Sequence, residues 1–259
     1  MFDLLDTPQT LIEAPDAVPL QDGPGAVRVE DVHFAYGDNK SVVNGVTAEF
    51  PAGKTTALVG PSGGGKSTLL KAIAGLVPLS EGRIDGANGN IAYLPQLAEI
   101  DRSFPITVID AVSLGLWREV GLFRAITGEH VKRARAALTA VGLGGFEGRQ
   151  VGALSAGQLQ RALFARLMLQ DAGLILLDEP FAAVDERTSA DLMQLVEGWH
   201  REGRTVIAVL HDLERVRESF PETLLMAREP VAWGATANVL TPENLRRARY
   251  VSDAWGDAA

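Results

Sequence analysis

Apolar positions recur in this chain with two periods, one typical of strands and one typical of helices. Residues 27–34 and 46–50 alternate between apolar and polar positions, as half-buried strands do. Three other short runs, residues 55–59, 174–178 and 205–209, are rich in apolar and β-branched residues, which indicates strands buried on both faces. Residues 91–94 are a further predicted strand.

Helical periodicity occupies most of the sequence between these strands. The predicted helices are residues 66–74, 107–116, 129–141, 155–169, 188–202 and 212–219, with a last one starting at Pro242. Ser155 and Gln158 have the spacing of a capping box. Thr241 places a cap residue before a proline at the first helical position.

Strands that alternate with helices predict an α/β fold with a mainly parallel sheet covered on both faces. Residues 99–170 interrupt this alternation with helices alone, and we expect them to form a helical subdomain inserted in the α/β core. Residues 1–25 lack periodicity and are rich in Pro, Asp and Gln, so we interpret them as an N-terminal extension. The predicted domain is then residues 26–259.

Composition and charge exclude several classes of protein. The chain has 259 residues, of which 46% are hydrophobic and 22% charged, as in an ordinary globular domain. Its net charge of −9 argues against a nucleic-acid partner, because binding to phosphate backbones favours a basic surplus. With no cysteine, it has neither a disulfide framework nor a thiolate metal site. We expect no signal peptide and no membrane span, since no run approaches about 20 apolar residues.

A glycine-rich loop between a predicted strand and a predicted helix carries the first chemical signal. Its pattern, Gly-x-x-x-x-Gly-Lys-Ser, is that of a Walker A loop, in which backbone N–H groups and the helix N-terminus surround phosphate oxygens. Lys66 would neutralise β- and γ-phosphate charge, and the Ser67 hydroxyl would ligate Mg²⁺. The loop consists of Gly60, Pro61, Ser62, Gly63, Gly64, Gly65, Lys66, Ser67 and Thr68.

Two carboxylates end the apolar run 174–178. Asp178 and Glu179 would lie at the carboxyl end of a parallel strand, where ligands bind in open α/β sheets. We expect Asp178 to hold Mg²⁺ and Glu179 to polarise the attacking water. Taken alone, the pair would equally suit an acidic turn after a strand.

The segment Leu154 to Gln158, Leu-Ser-Ala-Gly-Gln, resembles the signature Leu-Ser-Gly-Gly-Gln of the ATP-binding cassette family. The resemblance extends over about residues 26–240. It implies a RecA-like P-loop core with a parallel sheet, an antiparallel β subdomain and an inserted helical subdomain. It also implies a head-to-tail homodimer that sandwiches two ATP molecules, each bound by the signature of the opposite subunit. The signature residues are Ser155, Ala156, Gly157 and Gln158; Ala156 replaces the usual glycine, which would matter only if that position required positive φ.

Four further positions match motifs of the family. By this resemblance Tyr36 would stack on adenine, and Gln96, in a Leu-Pro-Gln segment, would reach Mg²⁺ and the attacking water. Asp185 matches the D-loop aspartate that works across the dimer, and His211 matches the switch histidine that contacts the γ-phosphate. The implied catalytic set is Glu179, His211, Lys66 and Gln96, with Ser67, Gln96 and Asp178 as the Mg²⁺ ligands.

Weaker motifs favour one branch of the family. Residues 101–108, 110–112 and Gly115, together with the tail 234–245, are similar to ATPases of bacterial zinc, manganese and iron importers. The alternatives are an importer of ferric siderophores or cobalamin, a cassette ATPase acting on ribosomes or DNA, and a nucleotide-binding regulator without turnover. The importer hypothesis implies a membrane permease and an extracytoplasmic substrate-binding protein. It also places the chain at the cytoplasmic face of the bacterial inner membrane.

Overall fold

The computed structural model describes residues 26–36, 40–87, 89–121 and 124–256, without the side chains of Tyr36, Lys40 and Trp255. The predicted extension 1–25 lies outside the described residues. The strands are β1 (Val27–Tyr36), β2 (Lys40–Phe50), β3 (Thr55–Val59), β4 (Glu81–Asp85), β5 (Ile91–Leu94), β6 (Leu174–Asp178), β7 (Thr205–Val209), β8 (Glu222–Ala227) and β9 (Glu229–Ala235). The helices are α1 (Lys66–Ile73), α2 (Val108–Ser113), α3 (Trp117–Val120), α4 (Gly128–Ala140), α5 (Ala156–Gln170), α6 (Glu186–Arg201), α7 (Leu213–Ser219), α8 (Thr236–Val239) and α9 (Pro242–Gly256).

The described strands form two sheets. A three-stranded antiparallel sheet has the order β2-β1-β4, and a six-stranded sheet has the order β5-β6-β7-β3-β8-β9. All neighbours in the larger sheet are parallel except β8 and β9. The α/β class with a mainly parallel sheet is therefore confirmed.

The apolar runs become the centre of the larger sheet. β3, β6 and β7 are buried at every position, which agrees with strands covered on both faces. One apolar cluster joins one face of this sheet to the helices, and a second joins the other face to the antiparallel sheet and α1. The carboxyl ends of β3, β6 and β7 thus lie side by side at the same end of the sheet.

The helix starts follow the predicted cap residues. Thr107 accepts a hydrogen bond from the backbone N–H of Asp110, and Thr241 accepts one from the N–H of Asn244. Helices α2, α4 and α5, which the chain places between β5 and β6, pack on one another. Within the described ranges, every helix is too short or too polar to cross a bilayer.

Three strands are not predicted by the sequence pattern. β4 is largely exposed, so it has almost no apolar periodicity. β8 and β9 follow each other with Arg228 at φ 65 between them, and β9 is only partly buried. β4 and β9 lie at sheet edges and β8 lies between β3 and β9, so all three are strands because they pair with a neighbouring strand, which is a tertiary effect.

Candidate active site

The Walker A loop joins the end of β3 to the start of α1 and requires glycine at its two ends. Gly60 has φ 147, and a Cβ there would lie 1.9 Å from the carbonyl oxygen of Met226. Gly65 has φ 82, and a Cβ there would lie 2.3 Å from the carbonyl oxygen of Val42. Both positions combine a left-handed backbone with close contact to neighbouring main chain, so a side chain is excluded on two grounds.

A cavity of about 290 Å³ opens over this loop. Its volume is near the lower end of ligand pockets, about 300–1,000 Å³, so it suits part of a nucleotide such as the phosphate chain. Gly60 and Pro61 instead border a neighbouring cavity of about 200 Å³ beside α9. The larger cavity is lined by Val42, Ser62, Gly63, Gly64, Gly65, Lys66, Ser67, Thr68, Gln96, Glu179 and His211.

Lys66 is buried and bonded to its own loop. Its Nζ donates hydrogen bonds to the carbonyl oxygens of Gly60 at 3.0 Å and Pro61 at 2.7 Å. Burial lowers the pKa of Lys66, and the nearby carboxylates of Glu179 and Asp178 oppose that shift. An incoming phosphate would therefore have to replace these carbonyl contacts.

Asp178 presents oxygen where a hard cation would bind. The Ser67 hydroxyl donates to Asp178 Oδ1 at 2.8 Å, and Gln96 Nε2 lies 3.3 Å from the Ser67 oxygen. Asp178 Oδ2 is buried without a hydrogen-bond partner among the described residues. Burial raises the pKa of Asp178, while the Ser67 bond opposes the shift. An orphaned carboxylate oxygen beside a hydroxyl and an amide fits Mg²⁺ chemistry.

Two side chains contact the same carboxylate oxygen of Glu179. Gln96 Nε2 donates to Glu179 Oε1 at 2.8 Å, and His211 Nε2 lies 2.7 Å from the same atom. Glu179 itself has φ 50, a rare conformation for a non-glycine residue, and its N–H donates to the carbonyl of Val209. The geometry holds this carboxylate at the cavity wall.

The signature segment lies outside the cavity of its own chain. Ser155 and Gln158 form the predicted capping box: Ser155 Oγ accepts from the Gln158 N–H at 3.2 Å, and Gln158 Oε1 accepts from the Ser155 N–H at 3.0 Å. Ala156 is the first residue of α5 and its φ is not positive, so alanine fits there. A Cβ at Gly157 would lie 3.9 Å from Asp185 Oδ2, which places the D-loop beside the signature.

Two residues depart from the predicted site, one because its side chain is not described and one because the sequence did not predict it. The Tyr36 backbone pairs with Lys40 at the end of β1, but its side chain lies outside the described set, so adenine stacking stays a prediction. Val42 lines the cavity although the sequence pattern does not single it out. No local signal would have found it, because β2 carries it to the loop from the other sheet.

Other metal-binding chemistry is absent from the described part of the chain. There, no group of three or more His, Cys, Asp and Glu side chains is arranged to hold a metal ion.

Known proteins share both the sequence and the fold. Residues 43–182 match the family model described as ABC transporter. A manganese transport system ATP-binding protein of Listeria monocytogenes is 37% identical over 239 residues, which cover 90% of this chain and 97% of that protein. A zinc transport system ATP-binding protein of Treponema pallidum is 39% identical and covers 86% of each chain.

Solved structures agree with this similarity. An ABC transporter in an inward-facing conformation has a TM-score of 0.77 at 29% identity, covering 87% of this chain and 89% of that one. An ATP-binding cassette solved as a dimer bound to ADP and Pi has a TM-score of 0.72 at 26% identity, covering 81% of this chain and 98% of that one.

Proposed function

We propose a transport role for this chain from one premise: it belongs to the ABC transporter family, as the family model and the identity to curated relatives establish. It is an ATPase subunit of a transport system. The specific proposal is that its ATP hydrolysis drives import of a divalent transition metal, with manganese and zinc as the first candidates. The observation that carries this choice is 37–39% identity to proteins named for manganese or zinc transport.

The residue roles that we propose follow from the cavity. Glu179 would orient and activate the attacking water, with Gln96 and His211 fixing its carboxylate. Lys66 would exchange its carbonyl contacts for phosphate oxygens. Ser67, Gln96 and Asp178 would hold Mg²⁺, which neutralises phosphate charge when bound.

We further propose that two copies form the working unit. Among the described residues, the lining of the phosphate cavity includes neither the signature residues 155–158 nor Asp185 of the same chain. They form a neighbouring surface instead, so a second copy would have to bring them to the phosphate. The solved cassette dimer with ADP and Pi supports this arrangement by analogy.

A groove of about 340 Å³ is our candidate for the permease contact. Leu114 and Trp117 line it, and both are among the large apolar side chains that stay 45% or more exposed. Leu76 and Phe104 belong to the same exposed set, and Leu76 follows α1 as the groove residue Ala74 does. Exposed apolar groups that lie together in one patch mark protein contact sites, and Leu114 and Trp117 share this groove. We propose that a helical segment of a membrane permease binds here, which would hold the chain at the cytoplasmic face of the membrane.

The pairing of β5 with β6 supports the proposed division of the chain into a core and an inserted subdomain. β5 and β6 are paired neighbours, with Tyr93 opposite Leu176, although helices α2 to α5 separate them in sequence. This supports a helical subdomain at about residues 99–170 inserted within one ATPase domain, 26–259. The importer hypothesis adds an extracytoplasmic substrate-binding protein that delivers the metal to the permease.

Metal uptake by whole cells tests the proposed function. With Glu179→Gln as the sole copy, we expect uptake of radioactive manganese or zinc to stop, while ferric siderophore and cobalamin uptake continues. Glu202→Gln is the matched control, because that carboxylate is exposed and pairs only with Arg204 among the described residues. Loss of siderophore or cobalamin uptake alone would contradict metal import. Recovery of the tagged chain with ribosomes or DNA, and without a polytopic membrane protein, would contradict transport.

A further inference from the structure

Arg161 connects the signature helix to the D-loop of its own chain. It lies on α5, six residues after Ser155, and its side chain is 19% exposed. One guanidinium nitrogen donates to Thr188 Oγ1 at 3.0 Å and to Asp191 Oδ2 at 2.8 Å. The other donates to the carbonyl of Val141 at 3.0 Å, which is the C-cap of α4. Arg161 therefore joins two helices of the 99–170 block to α6.

Thr188 passes this contact to Asp185. Its hydroxyl donates to Asp185 Oδ2 at 2.8 Å, and its backbone N–H donates to Asp185 Oδ1 at 2.9 Å. These bonds lower the pKa of Asp185, which favours the charged carboxylate. Because the hydroxyl accepts from Arg161 and donates to Asp185, it has one defined orientation. Arg161, Thr188 and Asp185 thus form a chain of hydrogen bonds with one direction, which we call the relay.

A second bond ties the same helix to the catalytic turn. Gln160 is buried, and its Nε2 donates to the carbonyl of Pro180 at 2.7 Å. Pro180 follows Glu179, whose left-handed backbone leaves the turn dependent on external support. Gln160 therefore holds the turn that precedes residues 181–184. Arg161, the next residue of α5, holds Asp185, which follows them, through Thr188.

We propose that Arg161 and Thr188 are positioning residues for ATP hydrolysis, and that they act by fixing Asp185 relative to the signature serine. The inference rests on the proposed two-copy function. In that dimer, Ser155 and Asp185 of one chain face the partner, while Glu179 of the same chain serves its own ATP. Because Gln160, the residue before Arg161, bonds to the turn at Pro180, the relay and this bond together make the surface offered to one nucleotide depend on the geometry of the turn at the other.

Conservative substitutions test the relay in the full-length protein. Thr188→Val keeps the shape and removes the hydroxyl, whereas Thr188→Ser keeps the hydroxyl. We expect Thr188→Val and Arg161→Lys to lower kcat about tenfold or more, as a small misplacement of a catalytic group does. Affinity of the monomer for ATP should stay unchanged, because the Walker A loop is not touched. Thr188→Ser should keep kcat within about twofold of the parent value.

Arg204→Lys is the matched control for Arg161→Lys. Arg204 has a similar exposure of 22%, ion pairs at 2.8 Å to both Asp171 and Glu202, and one bond to a backbone carbonyl. It precedes β7, whereas Glu179 bonds to Val209 at the other end of that strand. The two ends are about 13 Å apart at 3.3 Å per residue. We expect Arg204→Lys to match Arg161→Lys in thermal unfolding and to retain kcat.

A double-mutant cycle separates positioning from simple stability. If Arg161 acts through Asp185, Arg161→Lys combined with Asp185→Asn should lower kcat no further than Asp185→Asn alone. Additive losses, or equal losses for Arg161→Lys and Arg204→Lys, would overturn the relay. If Arg161→Lys does not fold, equal kcat values for Thr188→Val and Thr188→Ser overturn it. A wild-type chain that hydrolyses ATP at full rate as a monomer would instead refute the two-copy function.

Discussion

His211 Nε2 and Glu179 Oε1 lie 2.7 Å apart, although 32 residues separate them in the sequence. They meet because Glu179 follows β6 and His211 follows β7 by two residues, and these strands are parallel neighbours with Asp178 opposite Val209. Gln96 contacts the same oxygen from the segment after β5. Three adjacent parallel strands therefore converge on one carboxylate oxygen.

Replacement of Glu179 by glutamine should separate ATP binding from hydrolysis. The amide keeps the size of the side chain and loses the basic oxygen, so we expect kcat to fall by about 10²–10⁴, the usual contribution of a general base. ATP-bound dimers should accumulate, which size-exclusion chromatography with Mg²⁺ and ATP would detect. The exposed Glu202→Gln change is the control. Turnover that stays at the parent rate would remove Glu179 from the mechanism.

Asp178→Asn should stabilise the ligand-free protein at neutral pH. The folded state raises the pKa of Asp178 by burial, so the unfolded chain binds fewer protons and stability falls as pH rises through the window above about 4. Removing that charge should raise Tm at pH 7.5 by about 2–4 °C, the equivalent of about 1 kcal/mol.

Two measurements check whether the rise in Tm of Asp178→Asn comes from the lost charge. The gain in Tm should shrink as the pH is lowered, because the parent carboxyl then becomes protonated. With Mg²⁺ and ATP present, the order should reverse, because only the parent gains ligand stabilisation. A gain that is independent of pH would show that Asp178 is not the source.

Gly60→Ala should be more damaging than Gly63→Ala. At Gly60 the new Cβ would lie 1.9 Å from the carbonyl of Met226, whereas a Cβ at Gly63 meets nothing within 4 Å. We expect Gly60→Ala to cost about 2–4 kcal/mol in unfolding free energy and to abolish ATP binding. Gly63→Ala carries only the cost of its left-handed backbone, about 1–2 kcal/mol. Urea unfolding compares them, and equal costs would contradict the close approach of Met226 to Gly60.

Mixing two inactive variants should restore ATP hydrolysis if two copies share each site. Ser155→Ala removes the signature hydroxyl and Glu179→Gln removes the base. A heterodimer of the two has one site with both groups intact, so an equal mixture should regain about a quarter of parental activity in a head-to-tail pair. Each variant alone measures the background. A mixture no more active than the average of its components would contradict the shared site.

The order of apolar runs and loop residues by itself determined much of this protein. β3, β6 and β7 are buried at every position because their sequences leave no polar face, and a parallel sheet is the arrangement that covers both. The capping box at Ser155 and Gln158 is equally local, since a side chain and an N–H three residues apart satisfy each other. Walker A was recognisable because only glycine tolerates the backbone at Gly60 and Gly65.

Only the tertiary structure decided which residues meet. Gln96 and His211 share an oxygen of Glu179 because strands distant in sequence are neighbours in the sheet, and no local pattern encodes that distance. Val42 enters the cavity from the other sheet for the same reason. The strands β4 and β9 form at sheet edges and β8 lies between β3 and β9, and each is a strand because it pairs with a neighbouring strand. The contact of Arg161 with Thr188 depends on how α5 packs on α6, which sequence periodicity does not specify.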